Sequence, residues 1–214
     1  METDATRLHE ELYSFSEAHL HPALRGRDPN AVRREFAEQI HALPLLSKAF
    51  CSMLIEEAER RALWEAGLKV NFFEPDDSFA PANPPANGLS LKHFPGLTET
   101  YNAIIDHAVA PIIESLWETF ELRMYRTPYI AKFSASDPAF PPGTTPDWAQ
   151  CGVSMRVALD DDYDGGGLRF RQWGFESGKL PIGTALIFPG GISHEQEELP
   201  LSRGVRRVLV CEFF

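Results

Sequence analysis

The 214-residue chain is 43% hydrophobic and 24% charged, with a formal net charge of −11. That balance suits one folded globular domain and excludes a disordered polymer. The acidic excess excludes a protein that tracks phosphate backbones or anionic membranes, yet it leaves room for a locally basic site. The apolar runs are too short to span a bilayer, and the early acids of METDATRLHEELYSF do not read as a secretory signal. Cys51, Cys151 and Cys211 are odd in number and widely spaced, matching neither a disulfide framework nor a zinc pattern. Together these features predict a reducing, cytoplasmic compartment. Cys51 and Cys211 sit in apolar runs and read as small core residues.

In chain order, the N-terminal part reads as helical. Asp28-Pro29-Asn30 is a turn and N-cap signal, and the spacing predicts a helix over 31–43. A second helix is predicted over 47–66, with Phe50, Leu54, Ala58 and Ala62 at helical spacing and Gly67 as its stop. Glu57 and Arg61 stand four residues apart, as on an exposed helix face. Residues 74–96 carry five prolines and read as a long loop, either a lid or binding loop or a disordered connector. Helical pattern resumes over 97–122, broken or kinked at Pro111.

Strand patterns then follow. They cover 127–133, 152–159, 184–189 and 205–214, each rich in Val, Ile, Leu or Phe and bounded by Gly, Pro or Asp. A second Pro-rich loop spans 135–150. Gly165-Gly166-Gly167 reads as a hairpin turn, because glycine tolerates positive φ; no helix follows, so it is not a phosphate cradle. With no repeat and no clear linker, the chain reads as a single domain over 1–214. Residues 1–125 form a mostly helical layer, and 126–214 form the β core.

The residues that could carry chemistry cluster near the C-terminus. His194 follows the FPGG run on a loop, and Arg206 lies twelve residues later, opening the last strand. Taken alone, one histidine and one arginine are ordinary surface or core groups. Alternation along VRRVLVCEFF puts Arg206 on the face of Val208 and Val210, and Arg207 on the other face. Arg156, Arg169 and Arg171 alternate with apolar residues and read as facing solvent or a substrate mouth. Trp148 and Trp173 could line that mouth or simply pack. The remaining histidines read as surface or core residues.

The order YDGGGLRF, LPIGTALIFPG, His194 and then Pro200-x-x-x-Gly204-x-Arg206 resembles iron(II)/2-oxoglutarate-dependent oxygenases of the prolyl/lysyl hydroxylase-like branch. LLSKAFCSMLIEEAERR resembles the helix before their barrel. The resemblance implies an α+β fold: a double-stranded β-helix, a jelly-roll or cupin-like barrel, with an N-terminal helical layer. It further implies that His194 is the distal iron ligand and that Arg206 pairs with the far carboxylate of 2-oxoglutarate. A guanidinium suits that task because it offers parallel donors to a carboxylate. Tyr129 falls where the family often has a tyrosine near the co-substrate; as a strand aromatic it reads equally as core. The implied cofactors are Fe(II) and 2-oxoglutarate.

One departure stands out. The family's His-x-Asp motif should precede VSMRVAL, yet no histidine lies between His107 and His194. Ungapped counting puts Asp147 in the histidine position and Ala149 in the carboxylate position. A two-residue insertion instead puts Asp147 in the carboxylate position, with Thr145 for the histidine. Three accounts stay open: a reduced metal set of Asp147 and His194, a remote substitute such as His93, or a lost metal site. The leading reading is a dioxygenase that hydroxylates a small-molecule or amino-acid-like substrate. The alternatives are a degenerate barrel that binds a ligand without redox chemistry, and an iron-independent enzyme using the same pocket.

Overall fold

The computed structural model of the chain describes residues 7–61, 65–66, 87–118, 120–123, 125, 128–136 and 151–214. Asp147, Trp148, Ala149, Thr145, Gly67 and most of the 74–96 loop lie outside the described residues. The strands, all antiparallel to their neighbours, form two sheets. The larger contains β1 (Arg34–Ala37), β2 (Ile40–Pro44), β3 (Glu65–Ala66), β4 (Asn87–Ser90), β5 (Tyr129–Ser134), β6 (Val153–Ala158), β10 (Thr184–Pro189) and β12 (Leu201–Phe213). Its order is β1-β2-β10-β6-β12-β5-β4-β3, and β7 (Tyr163–Gly165) pairs with the start of β12. The smaller sheet has the order β11-β8-β9, from Gln196–Glu198, Leu168–Phe170 and Phe175–Glu176.

The larger sheet is covered on both faces, so β6 buries all six of its residues. Met155, Val157, Leu209, Cys211 and Ile187 face the helical layer, where they join Phe50, Leu54, Tyr101 and Ile104 in one core. On the opposite face Ile40, Ala42, Leu186 and Phe188 pack against Leu168 and Phe170 of the smaller sheet. Strands enclosed on both sides lose the polar-out alternation of a half-exposed sheet.

The helices are α1 (Pro29–Val32), α2 (Lys48–Arg61), α3 (Leu97–Ile104) and α4 (Ala110–Leu116). Ser47 Oγ accepts a hydrogen bond from the Phe50 amide and closes the first turn of α2. A π turn over Ile105–Val109 joins α3 to α4, with Pro111 in the first turn of α4. Proline lacks the amide hydrogen and crowds the carbonyl four residues back, so the chain widens there.

Several sequence expectations are corrected here. The helix expected over 31–43 is a single capped turn followed by the β1–β2 hairpin, in which Ile40, His41, Ala42 and Leu43 are all buried. Pairing of β2 with β10 decides the outcome, overriding the local helix propensity of the segment. Residues 87–90 of the expected loop form β4, which pairs with β5. Glu57 is 1% exposed rather than on an open face; it accepts bonds from the Leu8 amide and the Tyr13 hydroxyl.

The glycine triplet is not a hairpin turn either. β7 belongs with β12 whereas β8 belongs with β11 and β9, so the glycines carry the chain from one sheet to the other. Gly166 and Gly167 have φ of 69° and 103°. A Cβ on Gly166 would lie 2.7 Å from Leu201 Cδ2 and 3.3 Å from Arg206 Cδ, so the crossover packs against the stem of Arg206.

Candidate functional site

The space between the two sheets holds polar groups at positions set by strand parity. Arg206 lies across from Phe133 in the β12–β5 register, and Val208 and Val210 continue the same face. Arg206 is 7% exposed, and its guanidinium lies 5.4 Å from the Phe133 ring centre. Arg207, one residue on, points toward the helical layer. There it bonds Glu59 of α2 and Asp160, and Lys132 also donates to Glu59. Burial pushes the Glu59 carboxyl up, but the donors on Lys132 and Arg207 outweigh it and hold the group below its usual range. For Asp160 burial wins over Arg207, and its pKa is raised.

Arg206 Nη1 donates to Glu198 Oε2 at 2.5 Å, between side chains 8% and 10% exposed. Glu198 reaches the interior because it shares the parity of the buried Gln196 along β11, while Glu197 faces Arg169 and Arg171. Tyr163 stands beside the ion pair at 1% exposure. Burial raises its phenol pKa; Arg206 pulls the other way, and Asp160 and Glu198 add to the rise. A cavity of about 10 Å³ lies here, lined by Arg156, Ala158, Tyr163, Leu168, Arg206 and Val208 among others. It has room for about one water.

Arg156 is 6% exposed and lines this cavity, so of its two expected places the solvent-facing one is corrected. Its strand lies between β10 and β12, on a face of the larger sheet that the smaller sheet covers. Glu212 and Ser154 are cross-strand partners farther along the same face, 1% and 2% exposed. Among the described residues the interior therefore carries two guanidinium groups, Arg156 and Arg206, and two carboxylates, Glu198 and Glu212. Tyr129 shares the face but pairs with Val210, four residues along β12 from Arg206. At strand rise that separation is about 13 Å, and Tyr163 is the phenol beside the guanidinium. Sequence reading missed Tyr163, Glu198 and Glu212. Counting parity outward from His194 and Arg206 would have flagged both glutamates.

His194 ends a short 3-10 turn after β10 and is 3% exposed. Its ring stacks on Trp173, with centres 5.1 Å apart, and Trp173 Nε1 donates to the Ser193 carbonyl. His194 Nε2 lies 3.1 Å from the Glu38 carbonyl at the tip of the β1–β2 hairpin, and Nδ1 lies 3.1 Å from Ser193 Oγ. A carbonyl only accepts, so Nε2 carries the proton and Nδ1 accepts from the serine. Among the described residues lining the Arg206 cavity, His194 is absent.

Arg169 is an outward residue, bonded to Glu176 and near Glu197, and with Arg171 it borders an open surface basin. His93 ends a 3-10 turn after β4, and its carbonyl accepts from Arg61 of α2.

These residues can be tested against the implied groups. A buried guanidinium beside a cavity suits an anionic ligand, provided that Glu198 yields its place. Iron fits less well. Among the described residues no cluster of three His, Cys, Asp or Glu can hold a metal, and both ring nitrogens of His194 are engaged. The described residues alone do not make an iron centre. No helix among them is long and apolar enough to cross a membrane.

Comparison with known proteins gives one direction. No family model matches the chain. It is 24% identical to the multifunctional procollagen lysine hydroxylase and glycosyltransferase of Rattus norvegicus, over 97% of this chain and 29% of that protein. It is 26% identical to the corresponding Caenorhabditis elegans protein, over 90% of this chain and 26% of that one. The chain thus spans less than a third of the length of these curated relatives.

Among solved structures, the viral collagen prolyl hydroxylase of Paramecium Bursaria Chlorella virus-1 in its 2OG complex superposes with a TM-score of 0.56 at 13% identity. That match covers 84% of this chain and 98% of that one. A Trichoplax adhaerens prolyl hydroxylase, in complex with a hypoxia inducible factor oxygen degradation domain peptide fragment, gives a TM-score of 0.57 at 9% identity. It covers 82% of this chain and 83% of that one. Sequence and fold agree that this chain resembles the prolyl/lysyl hydroxylase-like branch. The expectation of a small-molecule substrate is corrected by these same proteins, whose names and bound partner specify procollagen and a protein-derived peptide.

Proposed function

We propose that this chain is a 2-oxoglutarate-dependent dioxygenase domain that hydroxylates a residue within a polypeptide. The observation that carries the reading is Arg206, a guanidinium buried between two facing sheets beside Tyr163, in a chain similar to lysine hydroxylases. The finer fold assignment, a double-stranded β-helix barrel, goes with it. It is supported by the crossover at Gly166–Gly167 and by the fold of the structural neighbours.

Arg206 would take the distal carboxylate of 2-oxoglutarate through its parallel donors. Val208, Leu168 and Phe133 around it exclude water, and a charge pair strengthens as the local dielectric falls. Tyr163 can donate a further hydrogen bond to an anion there, since its raised pKa keeps the phenol protonated. Iron(II) would supply oxygen activation, the step no side chain provides. The outward surface at Trp173 and Arg169 is where a polypeptide segment would first meet the protein.

The test is to incubate iron-reconstituted protein with collagen-type peptides containing lysine and proline. Succinate and a peptide mass gain of one oxygen should appear together, and Arg206→Ala should lose both while staying folded. No succinate with any peptide from wild-type protein would refute the reading. A second reading, a barrel that binds a peptide or anion without redox chemistry, is favoured by the fully engaged ring of His194. It predicts peptide binding without oxygen uptake.

A further inference from the structure

Among the described residues, the interior between the sheets carries Arg156 and Arg206 together with Glu198 and Glu212, all at or below about a tenth of full exposure. The Arg206 guanidinium is already paired with Glu198. The cavity at Arg206 is about 10 Å³, too small for a carboxylate group. An anion that takes the Nη1 donor must therefore displace the Glu198 carboxylate that now holds it.

The two partners are not equally fixed. Arg206 lies inside the thirteen-residue β12, paired with β5. Glu198 ends β11, a three-residue strand at the edge of the smaller sheet, followed by the Leu199–Pro200 link, whose backbone bonds Gly167 and Gly166. Short edge strands open at lower cost than central ones. The glutamate is thus the movable half of the pair.

We propose that Glu198 is a tethered carboxylate that holds the seat at Arg206 until the carboxylate of a ligand replaces it, and so sets how tightly the seat binds dicarboxylates. The inference rests on reading Arg206 as the seat of the co-substrate's distal carboxylate. It goes further, because it makes the resting site self-occupied and its affinity tunable at a residue on another strand.

The test uses the metal-free 214-residue chain titrated with glutarate, a dicarboxylate without the keto group needed for chelation. Binding is followed by calorimetry and by the shift in thermal unfolding. Glu198→Gln removes the competing charge and should bind glutarate about tenfold tighter than wild type or more, equivalent to about 1.4 kcal/mol. It should also gain more thermal stability from glutarate than wild type does. Glu198→Asp, with its carboxylate drawn back by one methylene, should fall between them and decides the matter if the glutamine variant does not fold. Arg206→Ala should bind none.

Equal or weaker glutarate binding by the Glu198 variants overturns the proposal, whether or not iron-loaded wild type forms succinate. Tighter binding by those variants without succinate formation keeps the tethered carboxylate and overturns the oxygenase reading alone.

Discussion

Removing Arg206 should cost far more than removing an ordinary surface arginine. Its bond to Glu198 is 2.5 Å long, and the two side chains are 8% and 10% exposed. Charge centres about 4 Å apart in an effective dielectric of about 20 attract by about 4 kcal/mol. Arg206→Met keeps the apolar stem beside Gly166 but leaves the Glu198 carboxylate enclosed without its paired cation. Breaking one side of a buried pair typically costs about 3–5 kcal/mol, and that is the loss expected here. Glu198→Leu strands the guanidinium and should cost a similar amount. The double variant removes both charges and should return to within about 1 kcal/mol of wild type, because a matched apolar pair carries no desolvation penalty. Urea unfolding followed by tryptophan fluorescence measures all four proteins. If the two single losses simply add in the double variant, within about 0.5 kcal/mol, the pair is not an interacting buried unit and the reasoning fails.

Further outcomes follow from the same structure. Gly183→Ala would place a Cβ 1.9 Å from the Leu46 carbonyl oxygen, whereas at Gly26, also at positive φ, nothing lies within 4 Å. The first substitution should cost about 4 kcal/mol and the second about 1 kcal/mol, measured by chemical denaturation; equal losses would mean that the contact is not what matters. Burial lowers the pKa of His19, and burial together with Arg33 lowers that of His41. The unfolded chain then binds more protons, so stability present above the usual imidazole value of 6.5 should be lost as pH falls through the lower folded values. Denaturation midpoints at pH 7.5 and 5.5 test this, and His41→Gln should flatten the difference. Burial pushes the Cys51 thiol up to about 12 and raises Cys211 well above its ordinary value. Neither should react with a thiol-specific disulfide reagent at pH 8 until the protein unfolds.

Legibility varied along the chain for physical reasons. The strand at 184–189 was read to the residue, because an apolar run between Gly183 and Pro189-Gly190 is both a burial signal and a boundary signal. β12 begins at Leu201, earlier than its apolar run, because its first residues pair with the short β7 and need no buried alternation. The 31–43 segment misled, since its apolar residues satisfy a helical spacing until β10 offers a pairing edge. Arg156 misled in another way. An arginine alternating with apolar residues looks solvent-facing when the second sheet is not in view.

By itself the sequence determined the parity of β12, the apolar strands of the core and the resemblance to hydroxylases, since each is written in residues close together along the chain. Only tertiary structure decided the partners of the charged groups. Glu198 meets Arg206, and the Glu38 carbonyl meets a His194 that is 156 residues away. Side-chain direction follows from local backbone geometry, but which group waits at the end of that direction depends on how the sheets are stacked.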